Sequence, residues 1–148
     1  MKIPTKARYG VRVMVDIALQ KSASPVLLRD IARRQELSER YLEHVITALR
    51  NAGLVKSIRG AKGGYLLARE PGLISLYDIV EATIGPLDLV DCVVEPQGCP
   101  RSGRCATRNV WEELSFTLQQ KLKEINLEQL AVREIELQAE CGTPMYYI

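Results

Sequence analysis

Between Leu28 and Arg69 the chain sets out a short helix, a tight turn, a capped longer helix and a basic hairpin, and this order restricts its fold more than any other feature. Leu28, Ile31 and Ala32 mark the short helix, which runs through Gln35. "ELS" makes the turn, and Ser38 stands where an N-cap belongs, ahead of an inner stripe of Leu42, Val45, Ile46 and Leu49. Gly53 is placed to end that helix in the left-handed conformation. Two short apolar runs, "LVKSI" and "YLLA", then flank "RGAKGG". Its glycines permit the positive φ a hairpin bend needs, while Arg59 and Lys62 put charge at the tip. The succession predicts a winged helix-turn-helix. A mostly buried helix over residues 6–20 precedes it, with Tyr9, Val13 and Ile17 recurring every four residues beside Met14 and Ala18, and "SASP" at 22–25 ends that helix.

Charge gives the motif a partner. A net charge of +2 conceals an asymmetry: residues 1–69 hold 14 Lys or Arg against 5 Asp or Glu, and residues 70–148 hold 6 against 13. Charge scattered over solvated faces accounts for the imbalance alone about as well as a polyanionic partner does. Joined to the motif, the basic field favours double-stranded DNA. With the apolar stripe facing inward, Glu39, Arg40, Glu43, His44 and Thr47 face outward on the helix that enters a major groove. Ser38 and Tyr41 sit at its N-terminus, within reach of phosphates. A carboxylate near phosphates is repelled unless it accepts a hydrogen bond such as that from cytosine N4, so Glu43 should discriminate more than it binds. His44, the one histidine, is expected on DNA or in solvent and not on a metal.

Beyond Pro71 the composition turns acidic. Ser75 with Asp78 reads as a capping box opening a short helix to about Ile84. A long helix starts near Thr107, with Val110, Leu114, Leu118, Leu122 and Ile125 forming one apolar face and Trp111 beside it. Such a face packs on the basic domain or on a second copy; because site readers pair two half-sites, a homodimer is expected. Asn126 is placed to cap a last helix to about Ala139. The expected division is a winged helix-turn-helix over 1–70 and a cysteine loop with dimerisation helices over 71–148, a mainly α protein with a small β wing.

Between those helices lies "DCVVEPQGCPRSGRC". At 148 residues with 47% hydrophobic and 26% charged, the chain can bury a core without crosslinks. No apolar run approaches the ~18 residues of a membrane span, and the N-terminus lacks a signal peptide's apolar stretch. A cytoplasmic location is therefore the expectation, and there clustered thiols read as metal-binding or redox-active before disulfide. Cys92, Cys99 and Cys105 are spaced C-x6-C-x5-C, long enough to wrap a cluster and too long for a zinc-ribbon knuckle. Pro96, Gly98, Pro100 and Gly103 supply bends, and Arg101 and Arg104 could offset thiolate charge. An iron–sulfur cluster, zinc and inert or thiol-only chemistry stay open on spacing alone.

"KARYGVRVMVDIA", "RYLE" in the recognition helix, "RGAKGGY" in the wing and the cysteine triplet resemble the IscR/NsrR-type regulators, a family of winged-helix transcription factors that includes the iron–sulfur cluster assembly regulators and nitric-oxide-sensing repressors. The resemblance covers essentially the whole chain. It implies a homodimer binding operator DNA under control of an iron–sulfur cluster on Cys92, Cys99 and Cys105, expected as the 2Fe–2S type, with Arg59 reaching a minor groove and the glutamate matching Glu43 taking part in sequence selection. It does not supply the fourth ligand. The histidine of one branch is Arg108 here, and the first-helix aspartate of the other is Arg8. Asp91, Glu95, Asn109, Cys141, water or a small thiol remain, and an incomplete shell implies a labile cluster that a purified sample can lack. The expected function is a sensor of iron–sulfur status, with a nitric-oxide or redox-stress repressor as the alternative. A thiol or electron-transfer protein is the distant alternative, and no nucleophile outside the loop has a base and an orienter, so an enzyme is not expected.

Overall fold

The computed structural model describes residues 2–20, 24–60 and 63–141, the side chain of Cys141 excepted. Lys62 at the wing tip and residues 22 and 23 of the "SASP" stretch therefore lie outside the described residues. Helix α1 (Thr5–Leu19) has no side-chain cap and no acidic first turn; burial of Ala7, Val13, Met14 and Ile17 holds it instead. Helices α2 (Leu28–Gln35) and α3 (Glu39–Asn51) come next, joined by Glu36 in the left-handed region at φ 54°. Ser38 Oγ accepts the Tyr41 amide at 3.3 Å, as an N-cap should. Gly53, at φ 68°, takes the chain out of α3.

Strands β1 (Val55–Ile58) and β2 (Gly64–Leu67) pair antiparallel from Val55 opposite Leu67 to Ile58 opposite Gly64. A feature that no sequence pattern announces is Val26, which exchanges both backbone bonds with Tyr65 at 2.9 Å and so ties the entry of α2 to the wing. Gly64 makes this possible: its φ is 149°, and an added Cβ would stand 2.5 Å from the Val26 carbonyl oxygen.

Helix α4 (Leu76–Ile84) opens with the expected capping box, Ser75 Oγ accepting the Asp78 amide at 3.1 Å and Asp78 Oδ2 accepting the Ser75 amide at 2.9 Å. It packs closely on α1 at Gly10, where an added Cβ would lie 2.6 Å from the Thr83 methyl. Thr83 cannot readily turn aside, because its hydroxyl donates to the carbonyls of Val80 and Ile79 at 2.8 and 3.1 Å. Gly10→Ala would gain roughly 1 kcal/mol of helix propensity against the overlap. Gly10→Val adds bulk without that gain, so it should cost about 2 kcal/mol and lower Tm by roughly 4–8 °C in a thermal melt.

The cysteine stretch is less of a loop than its Pro and Gly content implied. It forms a one-turn helix, α5 (Asp91–Val94), and two 3-10 turns, Pro96–Gly98 and Ser102–Arg104, none of which contributes a buried residue. Helix α6 (Ala106–Glu124) then returns along the molecule, fixed to residues 87–89 where Ser115 Oγ accepts the Leu89 amide and Gln119 donates to Leu87 and Asp88. Helix α7 (Leu127–Cys141) begins with Asn126 and Gln129 each accepting the other's amide. Leu76 N–H donates to Ile125 and Leu127 N–H to Ile74, at 2.7 and 2.8 Å, stitching the start of α7 to the start of α4. One buried cluster runs through Met14, Ile31, Ile46, Leu54, Ile79 and Leu127. Each such aliphatic side chain contributes roughly 1.5–3 kcal/mol relative to exposure.

Candidate functional site

The outward face of α3 carries the expected residues. Ser38, Glu39, Arg40, Glu43, His44 and Thr47 are exposed, while Leu42, Val45, Ile46 and Leu49 are buried. Spacing is the cause: the buried positions recur at three and four residues, so the intervening ones share the opposite side. Tyr41 is half-buried, its ring edge-on to Tyr9 with centroids 5.7 Å apart, and the Arg12 guanidinium lies 5.3 Å from the Tyr9 centroid. Arg59 is exposed at the end of β1, immediately before Gly60 at φ 110°. The exposed face of α3 and the β1–β2 pair with Arg59 beside it thus stand on one buried core, an arrangement that can engage adjacent grooves of a duplex.

A polar cluster that sequence reasoning missed supports this motif from behind. Asp16 is only 3% exposed and accepts from Arg34 at both carboxylate oxygens and from Gln35 at 2.9 Å. The hydrogen bond to Asp16 raises the Arg34 pKa above its ordinary value. The available signal was a carboxylate among the apolar positions of the first helix.

Cys92, Cys99 and Cys105 are free and half-buried. Cys105 Sγ lies 3.1 Å from Thr107 Oγ1; that hydrogen bond first, then the backbone N–H of Arg108, lowers its pKa and favours thiolate. Arg108 Nε donates to the Cys92 carbonyl at 3.0 Å and its Nη1 to Glu112 at 3.1 Å, so this side chain ties the thiol segment to α6 and holds no ligand position. Asp91, Glu95 and Asn109 are exposed, and Arg8 donates to Thr5. Three thiols are the donor type an iron–sulfur cluster takes. Among the described residues, however, no three Cys, His, Asp or Glu side chains converge to hold a metal ion. The donor set fits in kind, and the segment must draw its sulfurs together to use it.

Helix α6 presents its apolar stripe in two parts. Leu118 and Leu122 line a cavity of about 660 Å³ with Ile3, Ala7, Val80 and Ile84. Val110, Trp111 and Leu114 are exposed further towards the N-terminus of the helix, as is Phe116 on another side. Among the described residues no helix is long and apolar enough to cross a membrane.

Known proteins share this arrangement. The family model for Rrf2, described as an iron-dependent transcriptional regulator, matches residues 3–133. Protein rrf2 of Nitratidesulfovibrio vulgaris is 42% identical over 130 residues, covering 88% of this chain and 87% of that protein. The solved structure of CymR, the global cysteine regulator of Bacillus subtilis, superposes with a TM-score of 0.74 at 39% identity, over 90% of this chain and 98% of that one. The structure of IscR from T. potens gives a TM-score of 0.73 at 39% identity, over 99% and 97%. These relatives are regulators of transcription and not enzymes, and their match spans both the winged core and the thiol segment: the chain belongs to the Rrf2 family of transcriptional regulators.

Proposed function

We propose that this chain is a homodimeric, cytoplasmic regulator that places α3 in a major groove and Arg59 in the neighbouring minor groove of an operator, under control of an iron–sulfur cluster held by Cys92, Cys99 and Cys105. The observation that carries the reading is a helix-turn-helix with a two-stranded wing on which Ser38, Glu39, Arg40, Glu43, His44 and Arg59 are exposed, and three free thiols on a segment tied to α6 through Arg108. When bound, the cluster supplies a centre whose integrity depends on iron supply and oxidants. Arg40 and His44 offer donors to base edges or phosphates, Glu43 an acceptor for cytosine, and Arg59 a cation for the narrow groove. Two copies joined through exposed Val110, Trp111 and Leu114 would present two such faces to a two-fold site.

Selection from a random-sequence duplex pool tests it. Wild-type protein should enrich a two-fold motif. Arg59→Ala should bind that motif about 1–3 kcal/mol more weakly at matched salt with the fold intact. Glu43→Ala should reorder base preference more than it lowers affinity, since a charge repelled by phosphate is removed. No enrichment by the wild type, or unchanged behaviour of both variants, would defeat the DNA reading.

A second reading uses the same cysteines as thiols in a redox or nitric-oxide response. The Thr107 hydrogen bond that favours thiolate at Cys105, together with the partial exposure of all three cysteines, supports it. The relative described as a cysteine regulator belongs to the same family. Thiol-dependent change in DNA affinity without bound iron would select it.

A further inference from the structure

We propose that Asp16 is a positioning residue for DNA recognition: through Arg34 and Gln35 it fixes the last turn of α2 against α1, and so sets the angle at which α3 meets DNA. The inference rests on the reading of α3 as the recognition helix and adds residues that touch no base.

The contact is built at both ends. Arg34 Nε lies 3.0 and 3.2 Å from the two Asp16 oxygens and its Nη2 2.5 Å from Oδ1, a two-armed grip that holds the guanidinium plane as well as its position. Gln35 Nε2 donates to Asp16 Oδ2 at 2.9 Å. Arg12, one turn before Asp16 on α1, donates Nε to Gln35 Oε1 at 2.9 Å and Nη2 to the Gln35 carbonyl at 3.0 Å. That carbonyl belongs to the last turn of α2, where helix geometry leaves oxygens without partners. Two turns of α1 therefore hold side chain and backbone of the final residue of α2.

The three residues after Gln35 convert this grip into an aim. Glu36 turns the chain at φ 54°, Leu37 N–H donates to the Ala32 carbonyl at 3.0 Å, and Ser38 caps α3. The connection is too short and too bonded to absorb a tilt of α2, so a tilt passes on to α3. Among the described residues no buried side-chain polar atom lacks a partner, so the cluster is closed. A buried ion pair is a poor way to gain stability, because an apolar pair of similar volume often does as well; its better-attested use is to fix geometry. An apolar Leu at position 16 would pack against α2 but leave its rotation about the helix axis undefined.

The experiment compares wild type, Asp16→Asn, Arg34→Gln and Arg34→Lys on two probes: the duplex that wild-type protein enriches from a random pool, and a scrambled duplex of the same length and composition. Active fraction is fixed by stoichiometric titration, and folding by circular dichroism at the assay temperature. Should Asp16→Asn or Arg34→Gln fail to fold, Arg34→Lys, which keeps a cation beside the buried Asp16 carboxylate but loses the two-armed grip, carries the comparison. The expected result is roughly a tenfold or greater loss on the enriched duplex for Asp16→Asn and Arg34→Gln. Scrambled-duplex affinity and salt dependence should stay at wild-type values, and Arg34→Lys should recover part of the loss. Equal losses on both duplexes would reduce the cluster to a stability element and overturn the inference. A salt slope lowered by about one in Arg34→Gln, and in neither Asp16→Asn nor Arg34→Lys, would make Arg34 a phosphate contact and overturn it too. Unchanged affinity everywhere has the same effect while the DNA reading stands; failure of the wild type to enrich any duplex removes both.

Discussion

Wild-type chain is expected to gain visible absorbance on anaerobic reconstitution with ferrous iron and sulfide, and Cys92→Ala, Cys99→Ala and Cys105→Ala are each expected to abolish it. Far-UV circular dichroism should stay essentially unchanged. The colour requires sulfur-to-iron charge transfer, and with only three cysteines on the segment the loss of one leaves too few thiolates to retain a cluster. The fold survives because α5 and the two 3-10 turns contribute no buried residue, whereas the core from Met14 to Leu127 is built elsewhere. Cys141→Ala, Asp91→Ala, Glu95→Ala and Asn109→Ala extend the series: loss or shift of the spectrum in one of them assigns the fourth ligand. If the cluster controls DNA binding as proposed, linkage makes the coupling reciprocal, so filled and empty wild type should differ in affinity for the enriched duplex, and the three cysteine variants should behave like the empty form. A wild type that takes up no iron, or variants that keep full absorbance, would sink the cluster reading.

Leu114→Glu is expected to convert a dimer into a folded monomer in sedimentation at micromolar concentration. Leu114 is 46% exposed in the single chain, so the substitution places a carboxylate largely in water and costs the monomer little. At a seam between two α6 helices the same carboxylate is desolvated beside its copy. The penalty is at least about 3 kcal/mol, a dimer weaker by roughly 100-fold. Binding to a two-fold site should fall with it, because each half-site is then held alone. Leu118→Glu would serve less well, since Leu118 also lines the cavity against α1 and α4 and its loss confounds fold with association. A Leu114→Glu protein that is still dimeric would place the interface elsewhere.

The features legible in the sequence are those whose cause is local. Ser38, the Ser75–Asp78 box, Asn126 and Gly53 each act within one helical turn, and all stand where the residue types placed them. The exposed face of α3 was legible for the same reason, as the complement of a buried stripe. Pairings between single distant residues left no trace: Val26 with Tyr65, or Ile74 with Leu127, involve no periodic run. The apolar stripe of α6 was visible as one face, but only the fold divides it between the half-buried Leu118 and Leu122 and the exposed Val110 and Leu114. In the thiol segment, the Pro and Gly content that announced bends also concealed α5 and the turn geometry. Spacing identified the three sulfurs and could not say that Arg108 would bind a carbonyl between them and α6.

The short bridge between the entry of α4 and the entry of α7 makes everything from Leu76 to Ile125 an excursion clasped at its base. A chain closed in this way can open sub-globally: the stretch from Asp91 to Arg104, held by turn bonds and the Arg108 tie, can unfold and refold while Leu127 stays in the core and the winged half keeps its shape. The regulator can thus tolerate a thiol segment of low local stability, because the clasp limits how far its opening spreads into the winged half.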